Sequence, residues 1–258
     1  LDEGVLRFHT VLNSDGGTLR TTDLKALTDR IARTLAEHGH FLRRLDHELK
    51  NPLTTLRAGL STLSLTNLDE KQQHLIQTMQ TETLRLSRLV SDLRKLSDLE
   101  AQPLNLQPVN IEAFIHDLMQ IEQERFETEG RQLTSQVNAT RSEWVVDEDL
   151  LTLAVHNLLD NALKYTRPGD TVQINALAQT ELLIQVIDNG PGIPLEALPH
   201  VWEDLYRAVP MQEKVSGSGI GLTLVKAIVE RHGGNVLVSS KPGVETAVSL
   251  TIPPLAAS

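Results

Sequence analysis

The chain has 258 residues, 40% of them apolar, with a formal net charge of −10 and no cysteine. That apolar content is enough to bury a core and excludes wholesale disorder. The lack of Cys excludes disulfides, thiolate zinc sites and cysteine nucleophiles, and the acidic balance argues against unspecific nucleic-acid binding, which leans on clustered Lys and Arg. Aromatics are 3%, so the core must come from Leu, Ile, Val and Ala, a composition that suits helices with leucine seams. No run approaches the roughly 18 apolar residues of a spanning helix. No membrane contact is therefore expected within the chain, and a reducing, cytoplasmic setting fits. Because it begins at Leu1 rather than Met, it reads as a fragment with room for a sensor or membrane segment upstream.

Residues 1–21 carry a Ser14-Asp15-Gly16-Gly17 turn signal without clear period, and read as a linker or the remnant of an upstream signalling segment. From Thr22, an N-cap candidate, a helical pattern runs to Leu65. Leu35, Leu42, Leu49, Leu56 and Leu63 recur every seven residues, with Leu45, Leu53 and Leu60 between them. Thr66-Asn67-Leu68-Asp69 predicts a turn, and Leu75, Met79, Leu86, Leu89, Leu93 and Leu96 mark heptad positions of a second helix. Residues 22–101 thus form a helical hairpin. One hairpin leaves its leucine seam wet, so two copies are expected to pair into a four-helix bundle.

Pro103 and Pro108 punctuate a linker at 102–109, after which residues 110–258 shift to a mixed α/β pattern. Helices are predicted at Ile111–Glu129, Asp149–Tyr165 and Ile220–His232. Strands are predicted at Gln132–Val137, Val172–Leu177, Leu182–Asp188, Asn235–Ser239 and Thr246–Ile252, and a short helical piece near Leu195–Tyr206.

His47 lies on the first helix in Leu45-Asp46-His47-Glu48-Leu49-Lys50-Asn51-Pro52-Leu53. With Leu42 and Leu49 at position a and Leu45 at d, His47 falls at f, facing solvent. An exposed helical His is ordinarily a solvated surface residue, but three neighbours weigh against that. Glu48 can accept the imidazole proton and leave the other ring nitrogen nucleophilic. Asn51, at i+4, shares the face and can position a water. Pro52 removes a helix hydrogen bond and predicts a bend. The run resembles the phospho-acceptor box of histidine kinases, with Asp46 where Ser is common and Asn51 where Thr is frequent. The resemblance implies that Glu48 assists phosphorylation of His47 and that Asn51 helps hydrolyse a phosphorylated partner.

Three further segments carry nucleotide chemistry. Asn157, Asn161 and Lys164 share a face of the helix His156–Tyr165, and carboxamide oxygens beside a Lys suit Mg²⁺ and phosphate. Asp188-Asn189-Gly190-Pro191-Gly192-Ile193 follows an apolar strand; Asp there can accept an exocyclic amine, and glycines allow close backbone approach. Ser216-Gly217-Ser218-Gly219-Ile220-Gly221-Leu222 opens a helix whose N–H groups can bind phosphate. Taken singly, these also read as a polar stripe, an Asx turn and a glycine linker. In this order and spacing they resemble the N, G1 and G2 boxes of the GHKL fold shared by histidine kinases, Hsp90, MutL and gyrase B, over roughly Pro108–Pro253.

That resemblance implies a GHKL (Bergerat) α/β sandwich with a mixed sheet following the hairpin, a multidomain α + α/β chain. It also implies ATP and Mg²⁺ as cofactors. Asn161, with Asn157 close to it, would bind the metal, Lys164 and Tyr165 would meet phosphates or the lid, and Asp188 adenine. Gly190, Gly192, Ile193, Ser218, Gly219, Ile220, Gly221 and Leu222 would contact the nucleotide. Val201-Trp202-Glu203-Asp204-Leu205-Tyr206-Arg207 stands where the F box belongs, with Trp202 and Leu205 replacing phenylalanines and Arg207 as a phosphate contact. Residues 208–218 would be the lid. Gly243-Val244-Glu245-Thr246 resembles the closing Gly-x-Gly-Thr element without its second Gly, and Thr246 would contact nucleotide. His9, His40, His74, His116, His200 and His232 lack paired metal spacing and read as surface or satisfied residues. The expected activity is an ATP-dependent autokinase that passes the phosphoryl group to a response-regulator aspartate and also dephosphorylates that regulator. A GHKL ATPase and a non-catalytic scaffold are the alternatives.

Overall fold

The computed structural model describes residues 49–66, 68–203, 206 and 218–254, apart from the side chains of residues 100 and 101. His47, Glu48, Leu205, Arg207 and residues 208–217 of the expected lid lie outside the described residues.

Helix α1 covers 49–63 and continues through Pro52. Helix α2 (Glu70–Ala101) starts at a capping box: Asp69 accepts from the Gln72 N–H at 2.8 Å, and the Gln72 side chain accepts from the Asp69 N–H at 3.0 Å. The heptad residues divide into two rows. Leu53 and Leu60 are buried within the single hairpin, together with Ile76 beside the heptad row, whereas Leu56, Leu63, Leu75 and Leu86 are each at least 50% exposed.

The second half is a two-layer sandwich. Helices α3 (Ile111–Thr128), α4 (Glu148–Tyr165) and α5 (Gly221–Arg231) pack on a sheet of β2 (Gln132–Ala139), β4 (Thr171–Ala178), β5 (Leu182–Asp188), β6 (Asn235–Lys241) and β7 (Glu245–Ile252). The strand order is β2-β4-β5-β7-β6, with β2 and β4 parallel and the other pairs antiparallel. Val172, Ile174, Ala176 and Ala178 on β4 and Leu182, Ile184 and Val186 on β5 alternate inward. They meet Leu151, Val155, Leu158 and Leu159 of α4 and Leu224 and Ile228 of α5 in one core.

The structure differs from the sequence reading in two places. The expected linker at 102–109 runs into a strand, β1 (Gln107–Asn110), which pairs antiparallel with β3 (Glu143–Val146). Four residues are too few to show a period of two, and Val109 facing the fully buried Trp144 is a long-range pairing. Among the described residues, the expected helical piece near Leu195–Tyr206 contains a 3₁₀ turn, Leu198–His200, and the prolines at 194 and 199 suit a turn better than a regular helix. Among the described residues, no helix is long and apolar enough to cross a membrane.

Helix α2 is tied to α5 at both ends. Asp92 accepts from the Ser218 hydroxyl at 2.6 Å just before α5 begins. At the other end, the Arg231 guanidinium donates to the Leu99 and Gln102 carbonyls.

Candidate functional site

Strand β5 supplies the first element. Its inward set, Leu182, Ile184 and Val186, continues by strict alternation to Asp188, so a carboxylate takes a core-facing position at the strand end. Burial pushes the Asp188 carboxyl up to about 6; the Gly190 N–H, donating to it at 3.0 Å, opposes the rise, and Asp170 adds to it. Asp188 opens into a cleft whose walls are largely apolar, including Leu158, Ala162, Val186, Ile193 and Val248. Thr246 lines the same cleft and is the register partner of Asp188 across β5 and β7. A largely apolar slot with one buried acceptor suits a heterocycle bearing an exocyclic amine.

The loop after β5 is stitched to the β6–β7 turn. The Ile193 N–H donates to the Ser240 hydroxyl at 2.8 Å, and the Gly243 N–H donates to the Pro191 carbonyl at 2.8 Å. Gly192 sits at φ 73°, and a Cβ there would lie 2.7 Å from the Pro242 Cα. No other residue fits that backbone approach.

Through Asn161, Tyr165 and Leu222 the cleft joins a polar cavity at the N-terminus of α5. Asn157, Asn161 and Lys164 line it from α4, and Ser218, Gly219 and Gly221 from the start of α5. The Asn157 amide donates to the Leu153 carbonyl at 2.7 Å, which commits its nitrogen and leaves its oxygen for a ligand. A Cβ at Gly221 would lie 3.2 Å from that oxygen, so glycine is what lets α5 approach α4 this closely. The carboxamide oxygens fit a magnesium ion that takes its remaining ligands from phosphate and water, and the helix N–H groups fit the phosphate.

Several lining residues were not among the site residues expected from the sequence. Arg88, Ser91, Asp92 and Lys95 of α2 form one wall of the polar cavity, with Arg125 of α3 and His156 and Asp160 of α4 on another. Val201 and Tyr206 border both spaces. The α4 residues carried a signal, since His156 and Asp160 repeat at i+4 with Lys164. The α2 wall carried none, because it arrives from another part of the chain.

Other named residues lie elsewhere. Asn51 is exposed on α1 and lines neither space. The Ile220 side chain is buried rather than facing a cavity, while its N–H donates to the Ser218 hydroxyl at 3.3 Å. His232 is satisfied: its Nδ1 pairs with the Ile228 carbonyl at 2.8 Å, and its Nε2 accepts from the Asp147 N–H at 3.0 Å. His74, His116 and His200 pair with Thr78, Gln120 and Glu203.

Comparison with known proteins adds independent findings. Residues 37–102 match the His Kinase A (phospho-acceptor) domain family, and residues 146–256 match the family of histidine kinase-, DNA gyrase B- and HSP90-like ATPases. The chain is 32% identical over 228 residues to the sensor histidine kinase WalK of Bacillus subtilis, covering 84% of this chain and 37% of that protein. It is 30% identical over 235 residues to the adaptive-response sensory kinase SasA of Prochlorococcus marinus, covering 89% of this chain and 61% of that one. It thus spans about a third to three fifths of these relatives' lengths. Full-length ShkA, crystallised in complex with AMPPNP, superposes with a TM-score of 0.65 at 25% identity, covering 85% of this chain and 46% of that one. The histidine kinase ThkA, crystallised in complex with the response regulator TrrA, has a TM-score of 0.62 at 18% identity over 91% of this chain and 67% of that chain, a likeness of fold.

Proposed function

Because the chain belongs to the sensor histidine kinases of two-component systems, we propose that it transfers the γ-phosphoryl group of ATP to His47 and passes it to a response-regulator aspartate. The observation that carries this reading is the continuity of two spaces. A buried carboxylate closes an apolar slot, and through Asn161 and Tyr165 that slot opens onto a polar cavity at a helix N-terminus.

The adenine amine donates to Asp188, and the ring lies against Leu158, Ala162 and Val186. Gly190, Gly192, Ile193 and Thr246 shape this end. Asn157 and Asn161 would hold magnesium, which would supply positive charge against that of the triphosphate. Lys164, the N–H groups from Ser218 to Leu222, and Arg207 would bind phosphate oxygens, with Tyr165 beside them and residues 208–218 as the lid. An imidazole nitrogen of His47 attacks the γ-phosphorus; the N–P bond forms as the bond to the bridging oxygen breaks, and ADP departs. Glu48 takes the imidazole proton. Asn51 orients the water that hydrolyses the regulator's phosphoaspartate. Two hairpins pair through the exposed row of leucines on α1 and α2.

Incubating the chain with γ-labelled ATP and Mg²⁺ is expected to give acid-labile, alkali-stable label, absent from His47→Gln. Label persisting in that variant contradicts the assignment of the acceptor.

A further inference from the structure

Glu122 is an ionisable residue of the sandwich that the proposed chemistry does not use, and it is 2% exposed. Burying a carboxylate is strongly disfavoured unless it is paired. Here both oxygens are engaged, one 2.6 Å from His156 Nδ1 and the other accepting from Arg125 at 3.2 Å. Arg125 also donates to Asp160, whose second oxygen lies 3.8 Å from the Lys164 ammonium. His156, Asp160 and Lys164 repeat every four residues and form one row of α4, beside the row that carries Asn157 and Asn161. Arg125, His156, Asp160 and Lys164 all line the polar cavity, while Glu122 stands behind its wall.

We propose that Glu122 is a positioning residue for phosphate binding: through Arg125 and Asp160 it fixes the Lys164 ammonium at the triphosphate, and so sets the affinity for ATP. The proposal rests on the reading of Lys164 as a phosphate contact. Arg125 is shared between two carboxylates. Without Glu122 its partly exposed side chain is held at that end by Asp160 alone, and Asp160 and Lys164 lose their fixed geometry. An ammonium free to wander binds phosphate with a larger entropic penalty, which raises KM and leaves kcat nearly unchanged.

The test is a double-mutant cycle on autophosphorylation by the full chain, with Glu122→Gln, Lys164→Ala and the pair. Glu122→Gln preserves shape and removes charge. Each single change is expected to raise the KM for ATP about fivefold, and the pair no more than Lys164→Ala alone, because coupled residues are not additive. A double variant whose KM is the product of the two single effects overturns the proposal, as does Glu122→Gln with an unaltered KM and a lowered Tm. If Lys164→Ala leaves KM unchanged, the phosphate reading of Lys164 fails and the proposal falls with it. Arg125→Gln, on a side chain 40% exposed, serves where Glu122→Gln does not fold: its KM effect must likewise vanish in the Lys164→Ala background, and a multiplicative effect overturns the proposal.

Discussion

Asp188 owes its properties to its place in an alternating strand. Leu182, Ile184 and Val186 fill the inward positions before it, so its carboxyl inherits a core environment and is raised from an ordinary 3.8 to about 6. The folded state therefore holds this proton more tightly than the unfolded chain. The stability that Asp188 contributes is full below its ordinary value and is lost as pH rises through about 6. Asp188→Asn removes the buried charge and is expected to stabilise the chain at pH 8 by ~2 kcal/mol, with little effect at pH 4. For the adenine contact proposed at Asp188, the carboxylate is the stronger acceptor, so ADP affinity is expected to weaken below pH 6 by up to about tenfold per unit. Calorimetric titration with ADP between pH 5 and 8 checks this; a flat profile excludes Asp188 as the acceptor. The Asp and the glycines after it were legible in the sequence as a strand end and a turn. The raised pKa was not, because it depends on the helices covering the sheet.

Helix α4 serves core and cavity at once. Leu151, Val155, Leu158 and Leu159 enter the core, while Asn157 with Asn161, and His156 with Asp160 and Lys164, form two rows along the polar cavity. The spacing of the asparagines and Lys164 was readable from the 3.6-residue period. Asp92 was not, since it reaches Ser218 from another helix 126 residues away. Its carboxylate sits where α5 presents its positive end, in the cavity proposed for the triphosphate, partly offset by Lys95 at 3.4 Å. Asp92→Ala is therefore expected to tighten the binding of a slowly hydrolysed ATP analogue two- to fivefold, roughly the 0.3–1 kcal/mol of one partly screened charge. An unchanged dissociation constant shows that the carboxylate does not compete with phosphate.

For the whole molecule, the hairpin is incomplete as a single copy. Leu53, Leu60 and Ile76 bury themselves within it, but Leu49, Leu56, Leu63, Leu75, Met79, Leu86 and Leu93 remain exposed. Covering a leucine stabilises association by about 1.5–3 kcal/mol, and two-fold symmetry counts each position twice. Leu86→Glu is expected to weaken self-association at least tenfold while leaving ADP binding per protomer intact, measured by sedimentation and titration. Undiminished association locates the contact on another face.

The sequence by itself determined what local periodicity encodes: the leucine heptads of the hairpin, the alternating strands, and the shared helix face of Asn157, Asn161 and Lys164 with the glycine turns of the candidate site. Those patterns arise from each element's own geometry, so a window of ten or twenty residues contains them. The tertiary structure decided everything that depends on distant partners. Four-residue β1 finds its identity in β3, Glu122 becomes the anchor of Arg125 and His156, Asp92 meets Ser218, and the layers over β5 set the proton affinity of Asp188. Pairing and desolvation belong to contacts between elements, and no single stretch of chain carries them.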